Sequence, residues 1–196
     1  MFKLHVQTLF SLDADLPKSF SYLPGFISVE EEADLLKLIS QFELHTFQFH
    51  VYEGKRRVAS FGYDWCFEKR TLSKGKEIPK EFDWLFQRTA HHLNINKSDF
   101  TELLITEYPV GSVINWHRDA PPFELIAGIS LLSECDFRLR PYDKKEHGRK
   151  FIRSLKIAPR SLYVIKDEAR SEWEHSTKAV EKTRYSITLR TIKKFR

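Results

Sequence analysis

The chain has 196 residues, 41% of them hydrophobic, which is enough for one buried core and predicts a single domain. Its 32 Lys and Arg against 27 Asp and Glu give a net charge of +5, which favours anionic partners such as nucleic acid without requiring one. Cys66 and Cys135 have no CxxC or CxxH neighbour, which excludes a disulfide framework and a zinc finger. The apolar runs are far shorter than the ~18 to 20 residues of a membrane span, so we expect a soluble, cytoplasmic monomer that does not contact a membrane.

Two helices are predicted in the first hundred residues. Residues 1–25 have short apolar stretches interrupted by prolines, which predicts an extended lead-in and a turn. Ser28 and Glu31 have the spacing of a capping box, so a helix should begin there and end near Glu43. Pro79 is a favourable first-turn residue and predicts the start of a second helix. Both helices carry an apolar face and are expected to support the core.

An aromatic strand is predicted between the helices, over residues 57–66. Strict alternation puts Arg57, Phe61 and Tyr63 on the same face. One interpretation is that these rings pack on a helix. The alternative is a stacking surface for a planar ligand such as a base, with the cations at 55–57 beside it.

The second half of the chain predicts strand after strand. The predicted strands are 103–108, 113–117, 125–132, 137–141, 154–157, 161–165 and 184–192. We predict no helix between them, which favours a β-sandwich or jelly-roll barrel over a sheet built from strand–helix–strand units.

The sequence His117-Arg118-Asp119 follows an apolar strand and is a candidate metal site. In an extended chain the side chains of His117 and Asp119 project to the same side. His175, in a strand-like stretch near the C-terminus, is the best candidate for a third ligand. Two imidazoles and one carboxylate suit the facial site of a non-haem Fe(II) oxygenase, although Zn(II) uses the same ligand types.

The segment from Arg184 to Arg190 has a period of two. Arg184, Ser186, Thr188 and Arg190 share one face, and apolar residues occupy the other. Two arginines in an otherwise buried strand are costly unless they meet anions, so this face is interpreted as the wall of a cavity for a dicarboxylate. The alternative is an ordinary solvated outer face.

Taken together, these motifs resemble the AlkB-like 2-oxoglutarate- and Fe(II)-dependent dioxygenases. That family combines an HxD motif, a distal His and an Arg-x-Asn-x-Thr-x-Arg strand, and the resemblance covers residues 22–192. It also includes the stretch 103–111, which is similar to the family's Asn-x-Tyr-x-x-Gly segment. The resemblance implies an α+β, mainly β fold: a double-stranded β-helix (jelly-roll) core at 101–196, two supporting N-terminal helices, and a substrate-lid region within 1–100.

The resemblance also implies roles for individual residues. The expected Fe(II) ligands, and with them the catalytic centre, are His117, Asp119 and His175. The expected contacts of 2-oxoglutarate, whose oxidation by O2 drives the reaction, are Arg184, Arg190, Tyr108, Thr106 and Ser186. Arg184 would pair with the far carboxylate, and Arg190 would fix the cosubstrate or order the metal ligands. Thr106 and Ser186 each replace an Asn of the family pattern.

The implied function is oxidative removal of N-alkyl groups from DNA or RNA bases. Tyr63, Phe61 and Arg57 are the expected substrate contacts, and the basic pairs 69–70, 144–145 and 149–150 are candidate phosphate contacts. Pro121 stands where the family prototype has a base-reading acid, and Glu124 is the nearest carboxylate, which leaves the base preference open. Alternatives are the same chemistry on a tRNA modification or a protein side chain, a non-catalytic nucleic-acid-binding module, and a zinc hydrolase. The zinc hydrolase would not explain the two arginines.

Overall fold

A computed structural model of the chain describes residues 16–49, 52–66 and 68–193, which form a helical layer and two antiparallel sheets. Most of the predicted lead-in, residues 1–15, lies outside the described residues. The helices are α1 (Val29–Ile39), α2 (Asp83–Leu93) and α3 (Asp167–Ser171). The strands are β1 (Phe20–Leu23), β2 (His45–Phe49), β3 (Tyr52–Cys66), β4 (Thr71–Lys74), β5 (Phe100–Tyr108), β6 (Ile114–His117), β7 (Phe123–Leu131), β8 (Cys135–Pro141), β9 (Arg153–Ile157), β10 (Ser161–Ile165), β11 (Trp173–Thr177) and β12 (Arg184–Ile192).

The two sheets confirm the predicted jelly-roll architecture. The major sheet has the order β1-β10-β7-β12-β5-β3-β2, with β4 paired to β3, and the minor sheet has the order β6-β11-β8-β9. β12, the strand with two arginines, lies between β7 and β5 in the middle of the major sheet. Strands from the first hundred residues complete this sheet, because β1 pairs with β10 and β3 pairs with β5.

The helix predictions hold in type, and differ from the structure at the ends. Ser28 and Glu31 form the predicted capping box, but α1 ends at Ile39, four residues before Glu43. Pro79 keeps an extended backbone with ψ of 134°, so a short 3-10 turn precedes α2, which starts at Asp83. Both helices pack their apolar faces on one side of the major sheet, as expected.

Each side of the major sheet has its own core. The helix-side core contains buried side chains of α1, α2 and the sheet, among them Leu35, Ile39, Phe82, Leu85, Phe86, Leu103, Ile105, Ile187 and Leu189. The core between the two sheets contains Phe20, Tyr108, Phe123, Ile126, Phe137, Leu139, Leu155, Ile157 and Tyr163. Polar and charged groups of β12 face this second core, so any site there is surrounded by apolar packing.

One helix of the second half, α3, was not predicted from the sequence, whereas β11 is the stretch around His175 that was expected to be strand-like. α3 has only five residues, and β11 follows it at once. The expectation of consecutive strands without a helix is therefore wrong at residues 167–171. Among the described residues, none of the helices has the length and apolar character needed to cross a membrane.

Glu32 on α1 accepts hydrogen bonds from two turns between strands of the sheets. Its Oε1 accepts a 2.8 Å hydrogen bond from the backbone N–H of Leu132, and its Oε2 accepts one of 2.8 Å from Arg160 Nη1. Leu132 and Arg160 both have positive φ, at 72° and 62°, which is unfavourable for residues with side chains. The buried carboxylate therefore compensates for two strained turns.

We expect Glu32→Ala to lower the free energy of unfolding by about 2 kcal/mol, since it leaves the N–H of Leu132 and the guanidinium of Arg160 without their acceptor. Urea denaturation measures the loss. Asp34→Ala, an exposed change in the same helix, is the control and should stay within about 0.5 kcal/mol of the parent. Equal losses in the two variants would contradict the role given to Glu32.

Candidate metal and cosubstrate site

The sheet pairing brings together the three residues proposed as metal ligands. His117 ends β6 and pairs directly with His175 on β11, and Asp119 lies in the loop that follows β6. One ligand atom from each residue lies within 4.8 Å of the others, a spacing that a single metal ion can bridge. The two imidazole ring centroids are 4.3 Å apart.

Both histidines are held in a form that can bind a metal. His117 Nδ1 lies 2.9 Å from the carbonyl oxygen of Asn115, and since a carbonyl only accepts, Nδ1 carries the proton and Nε2 keeps its lone pair. Burial, followed by the neighbouring His117, lowers the pKa of His175 to about 3. Burial also lowers the pKa of His117. Both imidazoles are therefore already neutral at physiological pH, and neither has to lose a proton before it can bind a metal ion.

Asp119 uses its two oxygens for different purposes. Oδ1 accepts a 2.7 Å hydrogen bond from Arg190 Nη2, while Oδ2 faces His175 Nε2 at 3.6 Å. Burial alone would raise the pKa of Asp119, but Arg190 and the other cationic groups around it hold that pKa below its usual value. The carboxylate is thus ionised, with one oxygen occupied by the arginine and the other available to a cation.

Arg190 bridges two buried carboxylates. Its Nη1 donates a 2.8 Å hydrogen bond to Glu102 on β5, in addition to its bond to Asp119. The side chains of Arg190, Glu102 and Asp119 are only 14%, 3% and 6% exposed. Arg190 was expected either to fix the cosubstrate or to order the metal ligands, and its bond to Asp119 is consistent with the second role.

A second buried arginine lies at the other end of β12. Arg184 is 2% exposed, and its Nε donates a 3.1 Å hydrogen bond to Ser130 Oγ. Its guanidinium carbon lies 4.9 Å from the centre of the Tyr108 ring. No carboxylate of the described residues pairs with Arg184, so this buried charge has no counter-ion within the part of the chain that the structure describes.

Hydroxyl groups line the sheet between the two arginines. Ser186 pairs with Ser130 on one neighbouring strand and with Thr106 on the other, and all three side chains are buried. The Tyr108 hydroxyl lies 3.4 Å from Ser186 Oγ. The structure therefore brings all five residues expected to bind the cosubstrate to one face of the major sheet, between the metal ligands and Arg184.

The comparison with protein families identifies this arrangement. The family model of the 2OG-Fe(II) oxygenase superfamily matches residues 19–190. The chain belongs to this superfamily. Its members depend on Fe(II), 2-oxoglutarate and O2.

Two relatives cover most of the oxygenase sequence. An Arabidopsis thaliana protein named alkylated DNA repair protein ALKBH8 homolog is 26% identical over 189 residues, which are 86% of this chain and 53% of that protein. The chain therefore spans about half the length of that relative. Uncharacterized protein L905 of Acanthamoeba polyphaga mimivirus is 29% identical over 188 residues, covering 88% of this chain and 84% of the relative.

Solved structures with the same fold include different kinds of oxygenase. The structure of OsALKBH1 has a TM-score of 0.72 at 11% identity and covers 90% of this chain and 98% of that one. A prolyl hydroxylase from Trichoplax adhaerens, in complex with a hypoxia inducible factor peptide, has a TM-score of 0.62 at 15% identity, with 92% and 85% covered. At such identities the likeness shows the fold alone.

The residues of the site fit the groups on which the superfamily depends. Two neutral imidazoles and one carboxylate oxygen on the same side are the ligand set of non-haem Fe(II) oxygenases, and they leave coordination positions for other ligands. A dicarboxylate with one end at the metal would supply the counter-ion that Arg184 lacks.

Two of the three expected substrate contacts do not face this site. Phe61 is 7% exposed and packs edge-to-face on Phe42 of the helix-side core, with 5.2 Å between ring centroids. Arg57 lies on the same side of β3, where it forms an ion pair with Glu107. The prediction that Phe61 and Arg57 contact the substrate is therefore corrected, because both side chains lie on the helix side of the sheet. Tyr63, 37% exposed, remains a candidate.

A kink at Gly62 separates Tyr63 from Phe61. Gly62 has φ of +86°, and a Cβ there would lie 2.2 Å from the carbonyl oxygen of Thr101. Beyond it, Trp65 packs with the core between the sheets, whereas Phe61 packs with the helices. Strict alternation through this glycine, which was the basis of the sequence interpretation, fails for that reason.

Sequence reasoning missed Arg56 and Tyr163. Arg56 precedes Arg57 and lies on the opposite face of β3, where burial lowers its pKa and Tyr108, Arg190 and Asp119 are its main electrostatic neighbours. Alternation identifies the two faces of β3, but it cannot tell which of them meets the site.

Tyr163 on β10 reaches the site across a glycine. It pairs with Gly128 of β7, and a Cβ at Gly128 would lie 2.1 Å from Tyr163 Cζ. Phe137 lies between Tyr163 and His175, with ring centroids 5.2 and 5.3 Å away. An isolated Gly in a strand was the one available signal of this close approach.

Proposed function

We propose that the chain is an Fe(II)- and 2-oxoglutarate-dependent oxygenase that removes N-alkyl groups from nucleic-acid bases. The observation that carries the proposal is the combination of the His117–Asp119–His175 group, at the minor sheet, with Arg184 on the major sheet, which is buried and pairs with no carboxylate of the described residues. The His117–Asp119–His175 group suits a metal ion, and Arg184 suits a carboxylate.

In this proposal the protein binds the cosubstrate along β12. His117 Nε2, His175 Nε2 and Asp119 Oδ2 would hold the metal. Arg184 pairs with the far carboxylate. The hydroxyls of Tyr108, Ser186 and Thr106 donate hydrogen bonds along the same wall, and the apolar core between the sheets excludes water from it.

The reaction removes the alkyl group as an aldehyde. When bound, the metal and its cosubstrate supply oxidation by O2, in which 2-oxoglutarate becomes succinate and CO2 and the alkyl carbon gains a hydroxyl group. The N–CH2OH product then breaks its C–N bond: the hydroxyl group releases its proton to solvent as it becomes the C=O of the aldehyde, and the electron pair of the C–N bond stays on the base nitrogen. The aldehyde is formaldehyde when the alkyl group was methyl. Arg190 keeps Asp119 ionised and oriented throughout.

Nucleic acid is the proposed substrate for two reasons. The Arabidopsis relative is named as an alkylated DNA repair protein. The chain also has a net positive charge, which favours a polyanionic substrate. Beside Asp119 lies a cavity of about 380 Å³ whose lining includes Pro121, which stands where the family prototype has a base-reading acid, and Glu124, the nearest carboxylate.

The test is a turnover assay with the full chain, Fe(II), 2-oxoglutarate and ascorbate. The substrates are DNA and RNA oligonucleotides with N1-methyladenine or N3-methylcytosine, and the products measured are succinate and the unmodified base. His117→Ala should abolish both products. His91→Ala, an exposed histidine on α2, should leave both unchanged.

The pattern of products separates the alternatives. Succinate without any base change would contradict the nucleic-acid substrate and favour a protein side chain or another tRNA modification. Absence of succinate with every substrate, together with absence of 2-oxoglutarate binding, would contradict the enzymatic function itself.

The close contact at Gly128 gives a prediction about cosubstrate binding. In Gly128→Ala the added methyl group would overlap the Tyr163 ring, which Phe137 prevents from moving away, so the ring should shift into the cosubstrate site. We expect 2-oxoglutarate affinity, measured by calorimetry with Mn(II), to fall about tenfold and stability by about 1 to 3 kcal/mol. Gly148→Ala, with its nearest neighbour at 3.8 Å, is the control.

A smaller side chain at position 163 should relieve the overlap. The double variant Gly128→Ala, Tyr163→Val is expected to recover the melting temperature of Tyr163→Val alone. An additive loss in the double variant would contradict the contact between these two positions.

A further inference from the structure

The net charge of the chain is concentrated in one short stretch. Residues 137–153 contain seven Lys or Arg and two Asp or Glu, for a net charge of +5, which equals the net charge of the whole chain. The other 179 residues contain twenty-five basic and twenty-five acidic residues. The positive charge is therefore local rather than spread over the surface.

The structure places this stretch at the metal end of the barrel. On β8, Leu139 pairs with the proposed metal ligand His175, and Pro141 pairs with Trp173. The chain then enters residues 142–152, which we call the basic loop, before β9 begins at Arg153. The loop therefore starts three residues beyond Leu139, the residue of β8 that lies level with the metal ligands.

Arg118 links the basic loop to the metal site. It lies in sequence between His117 and Asp119, and its guanidinium carbon is 3.6 Å from the centre of the Tyr142 ring. Its Nη1 also donates a 2.7 Å hydrogen bond to the carbonyl of Ser171, which fixes its position. Tyr142 itself remains 50% exposed. A polymer held by the loop would thus pass the metal ligands directly.

The cations of the loop are exposed and available. Lys144, Lys145 and Arg149 are all exposed and form no ion pair with any described residue. Lys150 is exposed as well and lies 4.8 Å from the Phe151 ring. Two lysines at the minor sheet, by contrast, are paired with carboxylates: Lys156 pairs with Glu134 and Lys178 with Asp136.

We propose that the basic loop binds the phosphodiester backbone of a nucleic acid whose modified base is in the metal site. Unpaired Lys and Arg side chains beside an exposed aromatic ring are what single-stranded nucleic acids bind, through phosphates and stacked bases. The inference rests on the proposed function for the location of the base, and it adds the surface that holds the rest of the polymer.

The test measures binding and needs no turnover. Fluorescence anisotropy of the full chain with unmodified single-stranded DNA and RNA of about 15 nucleotides gives the affinity as a function of salt concentration. The loop variant is Lys144→Ser, Lys145→Ser, Arg149→Ser. The control variant is Lys18→Ser, Lys37→Ser, Lys80→Ser, which removes the same charge from exposed positions outside the minor sheet.

We expect the loop variant to bind at least about tenfold more weakly near 0.1 M salt, and the slope of log K against log salt to fall by roughly 2, at about 0.7 per lost contact. The control variant should keep the slope of the parent. Melting temperature and 2-oxoglutarate affinity should be unchanged in both variants. Tighter binding of RNA or of DNA would support the inference and identify the polymer.

Other results would overturn the inference. Equal losses in the two variants, or no loss in either, would mean that the loop is not the docking surface. Competition by polyglutamate as effective as that by the oligonucleotide would indicate an acidic peptide instead. The proposed function is tested separately by base repair: loss of binding in the loop variant alone would uphold the inference even if no methylated base were repaired.

Discussion

Replacing Asp119 with alanine is expected to abolish oxidation, with a loss well above the ~100-fold that removal of a partner of a metal ligand costs. Within the group of three ligand residues found in the described part of the chain, Asp119 is the only one with a carboxylate. Its loss leaves two imidazoles, and it also removes a counter-ion of Arg190. Succinate formation and the iron content of the purified protein should fall together.

Asp34→Ala is the control for this prediction, because it removes an exposed aspartate from α1 on the far side of the major sheet. It should retain full turnover and iron content. An Asp119→Ala variant that still forms succinate at an appreciable rate would contradict the assignment of Asp119 as a ligand.

Removing Arg190 should cause a large loss of stability. Arg190→Met leaves the carboxylates of Glu102 and Asp119 buried without their shared cation. Removing one partner of a buried ion pair typically costs about 3 to 5 kcal/mol. Urea denaturation of the metal-free protein at neutral pH measures the change in free energy of unfolding.

The pH dependence of this loss has a definite sign. In the intact chain the pKa of Asp119 lies below its usual value of 3.8, so its stabilising interaction is fully present above that value and is lost as the pH falls below it. The difference between parent and variant should therefore be largest at neutral pH and smaller in strong acid. The double variant Arg190→Met, Glu102→Gln should recover part of the loss; a further loss would contradict the bridging role.

Local patterns in the sequence predicted the features that depend only on residues close together in the chain. Ser28 and Glu31 predicted the start of α1, because a capping box depends only on residues three apart. The alternation from Arg184 to Arg190 predicted which side chains share a face of β12, because the period of a strand is two wherever no bulge intervenes.

The substrate side was harder to predict because β3 is covered on both faces. Alternation separates Arg56 from Arg57, but both faces carry buried side chains, so the pattern does not say which face meets the helices. Gly62 then reverses the alternation before Tyr63. Phe61 shares a face with Arg57, and it was misassigned because alternation alone did not show that this face meets the helices.

The short helix α3 could not be predicted either, since five residues have too few local interactions to form a helix alone. It is held by tertiary contacts. Arg170, 9% exposed, donates hydrogen bonds to the backbone carbonyls of Asp119, Ala120 and Phe123. These contacts connect residues about fifty positions apart and leave no pattern within a local window.

The position of β12 divides the molecule into parts that tolerate change differently. Arg184 and Arg190 belong to one central strand, so the spacing between the two ends of the proposed site is fixed by backbone geometry and no loop movement can alter it. Residues 142–152 and the β3–β4 pair lie at the periphery, where substitutions leave that spacing intact. Substitutions at the edges of the sheets can therefore change what this protein binds there while the spacing of the two arginines in the middle stays the same.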